Sequence, residues 1–175
     1  MFFPDIVLEN LVLKNITSID VSTDYVGWLN NPTINQFLEV RHQEITLDKQ
    51  KKFVDDVNSS TDSSLFGIFL KGSLMVGTIK VGPINPFHRS AQIGILVGAL
   101  EYHGKGIATE AIGGLCSAFK NANLVRKANA GVLYPNLGSI KAFEKNGFIR
   151  EGIRKQQYLD SNDLGIDEIL LGKLL

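Results

Sequence analysis

Apolar and polar positions divide the chain into short segments of two kinds. Alternating or continuous apolar runs predict strands, whereas apolar positions three and four residues apart predict helices. Runs of the first kind predict strands at residues 8–15, 65–70, 75–81, 91–97, 125–133, 148–154 and 167–174. Spacing of the second kind predicts helices near residues 23–29, 34–38, 47–57, 107–120 and 136–146. This order of elements predicts an α+β, or mixed α/β, sheet with helices on both faces.

Residues that cap or break helices mark several boundaries between these segments. Ser22 or Thr23 can cap the first helix, and Thr46 can cap a later one, because their side chains accept from free helix amides. Glycine and proline predict a loop at residues 82–86, and residues 71–73 form a predicted short turn. The 175 residues contain no repeat, linker or low-complexity run, so we expect one domain over residues 1–175.

The charge balance and the scarcity of cysteine and histidine argue against several classes of function. The chain has 18 Lys plus Arg and 18 Asp plus Glu, so no net field attracts it to nucleic acid or to a membrane. A single cysteine excludes an internal disulfide, and three scattered histidines indicate no metal site. No apolar run approaches the ~18 residues of a membrane-spanning helix. We therefore expect a cytoplasmic protein without a metal, a nucleic-acid partner or a membrane partner.

One stretch with two glycines lies between a predicted buried strand and a predicted amphipathic helix. It reads Tyr-His-Gly-Lys-Gly-Ile-Ala-Thr-Glu-Ala over residues 102–111. The loop offers no acidic N-cap, although the first amides of a helix need acceptors. Its glycines permit a ligand to approach the backbone closely, and a pyrophosphate would satisfy those amides at the positive end of the helix dipole. An ordinary glycine-rich turn into a core helix explains the stretch equally well.

The same stretch resembles motif A of the GNAT acetyltransferases, [QR]-x-x-G-x-[GA], which holds the pyrophosphate of acetyl-coenzyme A. Gly106 and Ala108 match this motif, whereas His103 occupies the position at which Gln or Arg is usual. A second stretch is similar to motif B of the family, because Asn136 and Ser139 match N-x-x-S and residues 144–148 match E-K-x-G-F. The two motifs occur in the family's order, and the resemblance extends from about residue 11 to the C-terminus.

The resemblance implies a fold and a cofactor-binding site. The expected fold is a mostly antiparallel twisted sheet in which two central strands are splayed apart, with acetyl-coenzyme A as the cosubstrate between them and no metal. Backbone amides at the end of the first splayed strand are expected to contact the pantetheine arm and the acetyl carbonyl. The residues that the resemblance assigns to cofactor binding are Leu96, Val97, Gly98, His103, Gly104, Lys105, Gly106, Ile107, Ala108, Thr109, Asn136 and Ser139.

The resemblance also implies catalytic roles, and two positions depart from the family's pattern. Many relatives carry a Tyr four residues after the motif B serine, as the acid that protonates the leaving thiolate, but this chain has Phe143. Relatives often carry a Glu base in the central strand where this chain has Gln92. We therefore take Ser139 as the candidate acid and Glu39 as the candidate base. The alternatives that stay open are Tyr134 or water for the acid, and Glu101, His103 or water for the base.

The segment from residue 28 to residue 42 is expected to contact the acceptor, since the corresponding segment forms one wall of the groove in these enzymes. Its candidate acceptor-binding residues are Trp28, Asn31, Glu39 and Arg41. The pattern W-L-N-N-P…F-L-E-V-R is similar to the branch that contains ribosomal-protein N-terminal acetyltransferases and amino-sugar acetyltransferases. The expected reaction is therefore acetyl transfer to a primary amine, on a protein N-terminus or a small molecule, by direct attack in a ternary complex.

Two other functions stay open from the sequence. An amino-sugar nucleotide is an alternative acceptor. The departures at Gln92 and Phe143 also fit a domain that binds coenzyme A as a sensor or interaction module, without catalysis. Either a monomer or a homodimer is compatible with the sequence.

Overall fold

A computed structural model describes residues 1, 3–71, 73–160 and 162–175 of the chain. The strands are β1 (Ile6–Val7), β2 (Leu11–Asn15), β3 (Ser64–Leu70), β4 (Met75–Asn85), β5 (Ser90–Val97), β6 (Lys127–Leu133), β7 (Ile149–Leu159) and β8 (Gly165–Leu174). The helices are α1 (Thr23–Asn30), α2 (Pro32–Asn35), α3 (Leu47–Ser59), α4 (Ile107–Asn121) and α5 (Leu137–Lys145). Short 3-10 turns lie at Ser18–Asp20, Glu39–His42 and Leu100–Tyr102. Gly72, in the predicted turn at residues 71–73, lies outside the described residues.

The strands form one eight-stranded sheet in the order β1-β2-β3-β4-β5-β6-β8-β7. Every neighbouring pair is antiparallel except β5 and β6, which run parallel. A parallel neighbour needs a crossover connection, and α4 provides it between these two strands. The expected α+β fold, a mostly antiparallel sheet with helices on both faces, is confirmed.

Two predicted strand boundaries are wrong. The predicted first strand, residues 8–15, begins only at Leu11 as β2, and the short strand β1, which was not predicted, precedes it and pairs with it antiparallel. The predicted loop at residues 82–86 lies almost entirely within β4, which pairs with β5 again at Ile84 and Asn85. The register shifts between Val81 and Ile84, and this irregularity accommodates Pro83, because proline has no amide to donate to the ladder.

Helix boundaries agree with the local signals in the sequence. Ser22 caps α1 by accepting from the Tyr25 amide at 3.1 Å, and Thr46 caps α3 by accepting from the Lys49 amide at 3.3 Å. Gly147 follows α5 with a φ of 81°, a left-handed conformation that ends a helix and that glycine adopts without strain.

Side chains that alternate along the strands build two cores, one on each face of the sheet. On the face that we call the α4 face, residues such as Phe66 and Ile95 pack with side chains of α4 and α5. On the opposite face, the α3 face, Leu65 and Leu96 pack with side chains of α1 and α3. Burying one large apolar side chain contributes roughly 1.5–3 kcal/mol, so the two cores fix the face on which each neighbouring strand residue lies.

Within the described ranges, no helix combines the length and the apolar character that crossing a membrane requires. Nor do three His, Cys, Asp or Glu side chains of that part of the chain converge as a metal site would need.

Candidate active site

The two central strands separate along their length and leave a gap in the sheet. β5 and β6 pair at only three positions, the last of which joins Gln92 to Asn129. β5 continues to Val97 and β6 to Leu133 without pairing to each other. Parallel strands that stop pairing leave backbone amides and carbonyls facing the gap, and these groups need other partners. The predicted splayed strands are therefore present, and they form an open site between the two faces.

The alternation of backbone groups along β5 shows which of them face this gap. The Gly98 amide donates to the Val76 carbonyl of β4 at 2.9 Å, as does the Ala99 amide at 3.2 Å. Because neighbouring residues of an antiparallel strand point their amides to opposite sides, Ile95 and Val97 point theirs away from β4 and into the gap. His103 Nε2 lies 2.8 Å from the Val97 carbonyl oxygen. Gly98 and Leu96 thus direct their amides to β4, and the free donors of this strand end belong to Ile95 and Val97.

The glycine loop presents a row of amides at the start of α4. Gly104 and Gly106 have φ values of 72° and 82°, and a Cβ placed on either would meet no atom within 4 Å. Gly106 is the N-cap of α4, and no side chain caps the helix. The first helical hydrogen bond here runs from the Glu110 amide to the Gly106 carbonyl, at 2.9 Å. The amides of residues 107–109 therefore lack helical acceptors beside open space, which is the arrangement that binds a phosphate at a helix N-terminus.

Two side chains fix the position of this loop. Glu110 accepts from the Asn10 amide at 2.7 Å and from Asn10 Nδ2 at 3.1 Å, which ties α4 to the β1–β2 turn. Asn146 donates to the Thr109 carbonyl at 2.9 Å and links the end of α5 to the first turn of α4. Lys105 Nζ lies 5.1 Å from the centre of the Tyr102 ring, a cation–π distance that holds a positive charge beside the loop. A pyrophosphate fits this cradle of free amides and one cation.

The start of α5 borders the gap and carries the motif B residues. Asn136 caps the helix, and its Oδ1 accepts from the Ser139 amide at 3.1 Å. Over the described residues, neither Asn136 Nδ2 nor the Ser139 hydroxyl has a hydrogen-bond partner, so both are available to a ligand. Phe143 is fully buried, with its ring 4.9 Å from the ring of Phe148. The position at which relatives carry a tyrosine is therefore part of the core.

The four predicted acceptor-binding residues occupy different environments. Trp28 packs directly against the end of β5, where a Cβ on Gly98 would overlap its ring. Asn31 caps α2 by accepting from the Thr33 amide at 2.9 Å. Arg41 is largely buried and donates to the Leu38 carbonyl at 2.9 Å and the Leu159 carbonyl at 3.1 Å.

Glu39 pairs with Arg41 at 3.2 Å and keeps 65% of its side chain exposed. Arg41 therefore attaches this segment to β7, and Trp28 and Asn31 also make contacts that support the fold. Among these four side chains, Glu39 alone is both charged and largely open to a ligand.

A cavity of about 520 Å³ lies on the α3 face beside the gap. Its residues include Gly94, Ile95 and Leu96 of β5, and Leu38, Glu39 and Val40 of the predicted acceptor wall. Its remaining walls are Tyr25, Leu29, Gln43, Ile45, Lys49, Gln50, Phe53, Leu65, Thr78 and Lys80. The interior is mainly apolar, and Lys49 and Lys80 are its positive groups. The cavity therefore connects the predicted acceptor wall to the strand end whose amides face the gap.

Sequence reasoning missed a polar network in the floor of this cavity. Tyr25 is buried, and its hydroxyl accepts from Gln50 Nε2 at 3.0 Å. Burial raises the pKa of Tyr25, while hydrogen bonds with Thr78 and Gln50 lower it in part. The phenol therefore stays neutral at physiological pH. In the sequence, these residues lie 53 positions apart at most, on separate elements, and only the fold brings them together.

A charged cluster on the α3 face was also missed. Glu168 of β8 is buried, and its Oε2 accepts from Arg154 Nη1 of β7 at 2.9 Å. Burial raises the pKa of the nearby Tyr158, and the carboxylates of Glu168 and Glu39 raise it further. Glu39, from the predicted acceptor wall, therefore shares a charged environment with β7 and β8. No sequence motif marked these residues, because each occupies an ordinary strand position.

This chain is similar in sequence to a known protein family and to two individual proteins. The family model described as an acetyltransferase (GNAT) domain matches residues 10–149. The probable N-acetyltransferase YjcK of Bacillus subtilis is 29% identical over 133 residues, which are 73% of this chain and 73% of YjcK. An uncharacterised protein of Methanocaldococcus jannaschii is 25% identical over 140 residues, which are 80% of this chain and 28% of that longer protein.

Solved structures share the fold over nearly the whole chain. RimL, a ribosomal L7/L12 alpha-N-protein acetyltransferase in complex with coenzyme A, superposes with a TM-score of 0.86 at 18% identity, covering 98% of both chains. The spermidine N-acetyltransferase of Vibrio cholerae, in complex with coenzyme A and spermine, has a TM-score of 0.81 at 23% identity. That match covers 94% of this chain and 95% of the other. At these identities, the likeness establishes the fold and leaves the acceptor open.

Proposed function

The chain belongs to the GNAT family of acetyltransferases, and from this membership we propose that it transfers the acetyl group of acetyl-coenzyme A to a primary amine. The acceptor is either a protein α-amine or a small-molecule amine. The observation that carries the proposal is the row of free amides at the start of α4, beside the gap between β5 and β6. The family match supports catalysis over the alternative of a coenzyme A sensor.

The residues of the glycine loop would hold the pyrophosphate. The amides of residues 107–109 and the Lys105 ammonium supply positive charge, and the glycines leave room for the phosphate oxygens. Asn136 Nδ2 can donate to the pantetheine arm, since the side-chain oxygen of the same residue is used in capping α5. When bound, acetyl-coenzyme A would supply an activated thioester at the end of its pantetheine arm.

The strand end provides donors for the reacting carbonyl. The amides of Ile95 and Val97 face the gap. A preorganised hydrogen-bond donor stabilises the negative charge that develops on the acyl oxygen in the transition state. Ser139 has a free hydroxyl near the same place and is the proposed acid for the leaving thiolate. Direct attack by a neutral amine in a ternary complex then needs no covalent enzyme intermediate. Cys116 is not placed to form one, because it is buried in the core.

The cavity on the α3 face would receive the body of the acceptor. Its apolar interior accommodates an aliphatic or aromatic group, and Lys49 and Lys80 favour an anionic group over a further cation. Glu39 at its edge can pair with the ammonium, so it is the proposed base or the first contact of the amine. These features support a peptide N-terminus or an amino-sugar nucleotide more than a polyamine.

An amine panel tests the proposal. Acetyl-coenzyme A is incubated with the protein and, in turn, with a tripeptide amide that has a free α-amine, an amino-sugar nucleotide and spermidine, and free thiol is measured. We expect thiol release that depends on the acceptor, together with the acetylated amine detected by mass spectrometry. Calorimetric binding of acetyl-coenzyme A without transfer to any of these amines would contradict the proposed acetyl transfer and favour a sensor.

A further inference from the structure

We propose that Glu168 receives the acceptor's ammonium group and takes the proton that the amine must lose before attack. The inference rests on the proposed acetyl transfer and names the residue that prepares the amine. Among the Asp, Glu, Lys, Arg and His residues that the structure describes, Glu168 is the one with less than a tenth of its surface exposed. A buried carboxylate is costly unless its oxygens are paired, so its place beside an open gap calls for a partner.

The position of Glu168 follows from the register of three strands. Glu168 pairs with Leu133 of β6 on one side and with Arg154 of β7 on the other. Its neighbour Ile169 belongs to the core of the α4 face, so Glu168 points to the α3 face, the face of the acceptor cavity. A Cβ on Gly131 would overlap Oε1 of Glu168, which means that the carboxylate lies directly over the backbone of β6.

At Gly131, β6 no longer pairs with β5. The last pair between the two strands is at Asn129, and Gly131 lies two residues beyond it. Counting the parallel register forward from Gln92 and Asn129 brings Leu133 level with Leu96, which lines the acceptor cavity. The carboxylate therefore lies at the β6 edge of the gap, opposite the end of β5. The amides of Ile95 and Val97 at that strand end are the proposed donors to the acyl oxygen.

One oxygen of Glu168 is engaged and the other is free. Oε2 accepts from Arg154 at 2.9 Å, whereas Oε1 has no hydrogen-bond partner among the described residues. Arg154 keeps 56% of its side chain exposed, so it orients the carboxylate from the solvent side without closing the site. An ammonium that enters from the cavity can donate to Oε1 in a charge-assisted hydrogen bond.

The charged groups around Glu168 come from β7 and from the Glu39–His42 turn. Arg154 contacts Glu168 directly, and the neutral phenol of Tyr158 senses the charges of Glu168, Arg154, Glu39 and Arg41 together. Arg41 is bound to two backbone carbonyls and to Glu39, so it is not free to neutralise Glu168. Glu39 is largely hydrated, and a solvated carboxylate binds an ammonium more weakly than a desolvated one. The acceptor ammonium would thus pass Glu39 and reach Glu168.

The proton balance of the transfer is complete with this residue. The ammonium gives one proton to Glu168, the freed nitrogen lone pair forms the C–N bond, and the C–S bond breaks with its electron pair on sulfur. The nitrogen loses its second proton to water, the thiolate gains one from Ser139 or water, and Ser139, where it acts as the acid, regains its proton from water. Water then removes the proton from Glu168, so the net products are the amide, the thiol and one proton.

The test compares Glu168→Gln and Glu168→Asp with a matched control. Glu144→Gln breaks another Glu–Arg pair of the same 2.9 Å length, between α5 and β7 on the outside of the fold. Each protein is assayed with acetyl-coenzyme A and every panel amine that the wild type acetylates. At pH 7 we expect Glu168→Gln to lower kcat/KM for the acceptor roughly ten- to a hundredfold, as the loss of one charge-assisted contact implies. Glu168→Asp should lose less, and Glu144→Gln should match the wild type.

Two further readouts separate proton transfer from damage to the fold. Acetyl-coenzyme A affinity, measured by calorimetry, should stay within about twofold in all three variants. The Glu168→Gln deficit with the peptide should shrink between pH 7 and pH 9.5, because an α-amine with a pKa of about 7.7–8.0 then arrives neutral. A Glu168→Gln variant with wild-type kcat/KM, a deficit that is equal at both pH values, or a parallel loss of cofactor affinity would overturn the inference while leaving the proposed function intact. A wild type that acetylates no panel amine would overturn both.

Discussion

Replacing Gly106 by alanine tests whether the free amides at the start of α4 bind the pyrophosphate. Gly106 has a φ of 82°, and its Cβ position faces open space. Alanine in a left-handed conformation costs roughly 1–2 kcal/mol of strain, so the variant should be slightly less stable. If a pyrophosphate occupies the open space, the added methyl group displaces it from at least one amide. Losing one charge-assisted hydrogen bond of about 1.5–3 kcal/mol raises the Kd for acetyl-coenzyme A roughly ten- to a hundredfold.

Gly147→Ala is the matched control for this substitution. Gly147 has a φ of 81°. A Cβ added to it would lie 3.8 Å from the Lys173 side chain, which is an ordinary van der Waals distance. Both alanine variants should therefore have a similar backbone strain and a similarly lowered Tm. In a chain of this size, each kcal/mol of lost stability lowers the Tm by roughly 2–4 °C. Gly147 lies outside the glycine loop, although its neighbour Asn146 donates to the Thr109 carbonyl at 2.9 Å. A methyl group on Gly147 would cover none of the free amides at the start of α4, so the variant should keep the wild-type Kd.

Calorimetry with acetyl-coenzyme A decides the result. We expect weaker binding for Gly106→Ala, none for Gly106→Glu, whose carboxylate would repel the pyrophosphate, and unchanged binding for Gly147→Ala. Thermal unfolding of the same samples shows whether each variant is folded. A folded Gly106→Ala protein with wild-type affinity would refute the placement of the pyrophosphate at this helix end. Equal weakening in both alanine variants would show that strain, and not the binding site, causes the loss.

Three other outcomes are expected from the same structure. Burial raises the pKa of Cys116 to about 11, so the native thiol should not react with iodoacetamide at pH 8, whereas the denatured chain should; rapid native alkylation, followed by mass spectrometry, would contradict its burial. Phe143→Tyr should reduce the free energy of unfolding in urea by about 1–3 kcal/mol, since the new hydroxyl is buried against Phe148, and an unchanged midpoint would show that the hydroxyl finds a partner. Glu39→Gln should lower kcat/KM for the acceptor without changing stability. Arg41→Ala should lower the Tm as well, because Arg41 donates to the Leu38 and Leu159 carbonyls. Equal Tm values for the two variants would contradict that structural role.

Local sequence signals were sufficient for most of the elements and for the conformation of the glycine loop. Thr46 caps its helix as predicted, Gly147 ends α5, and the stretch after β5 forms a left-handed glycine turn into α4. These features depend on φ preferences and on hydrogen bonds between residues three or four apart, so neighbouring residues alone specify them. The predicted loop at residues 82–86 failed for the converse reason: the pairing of β4 with β5 overrides the local signal of glycine and proline.

Only the tertiary structure decided which residues surround the gap. The Arg41 side chain binds a carbonyl 118 residues away, and Glu168 lies over Gly131, 37 residues earlier in the chain. Neither contact leaves a periodic signal, because each residue occupies an ordinary position in its own element. The gap itself exists because β5 and β6 pair at three positions and then separate, a property of how the sheet twists under the helices on its two faces. The sequence therefore determined the glycine loop proposed to bind the cofactor, whereas the packing of distant strands determined which charged groups lie around the gap.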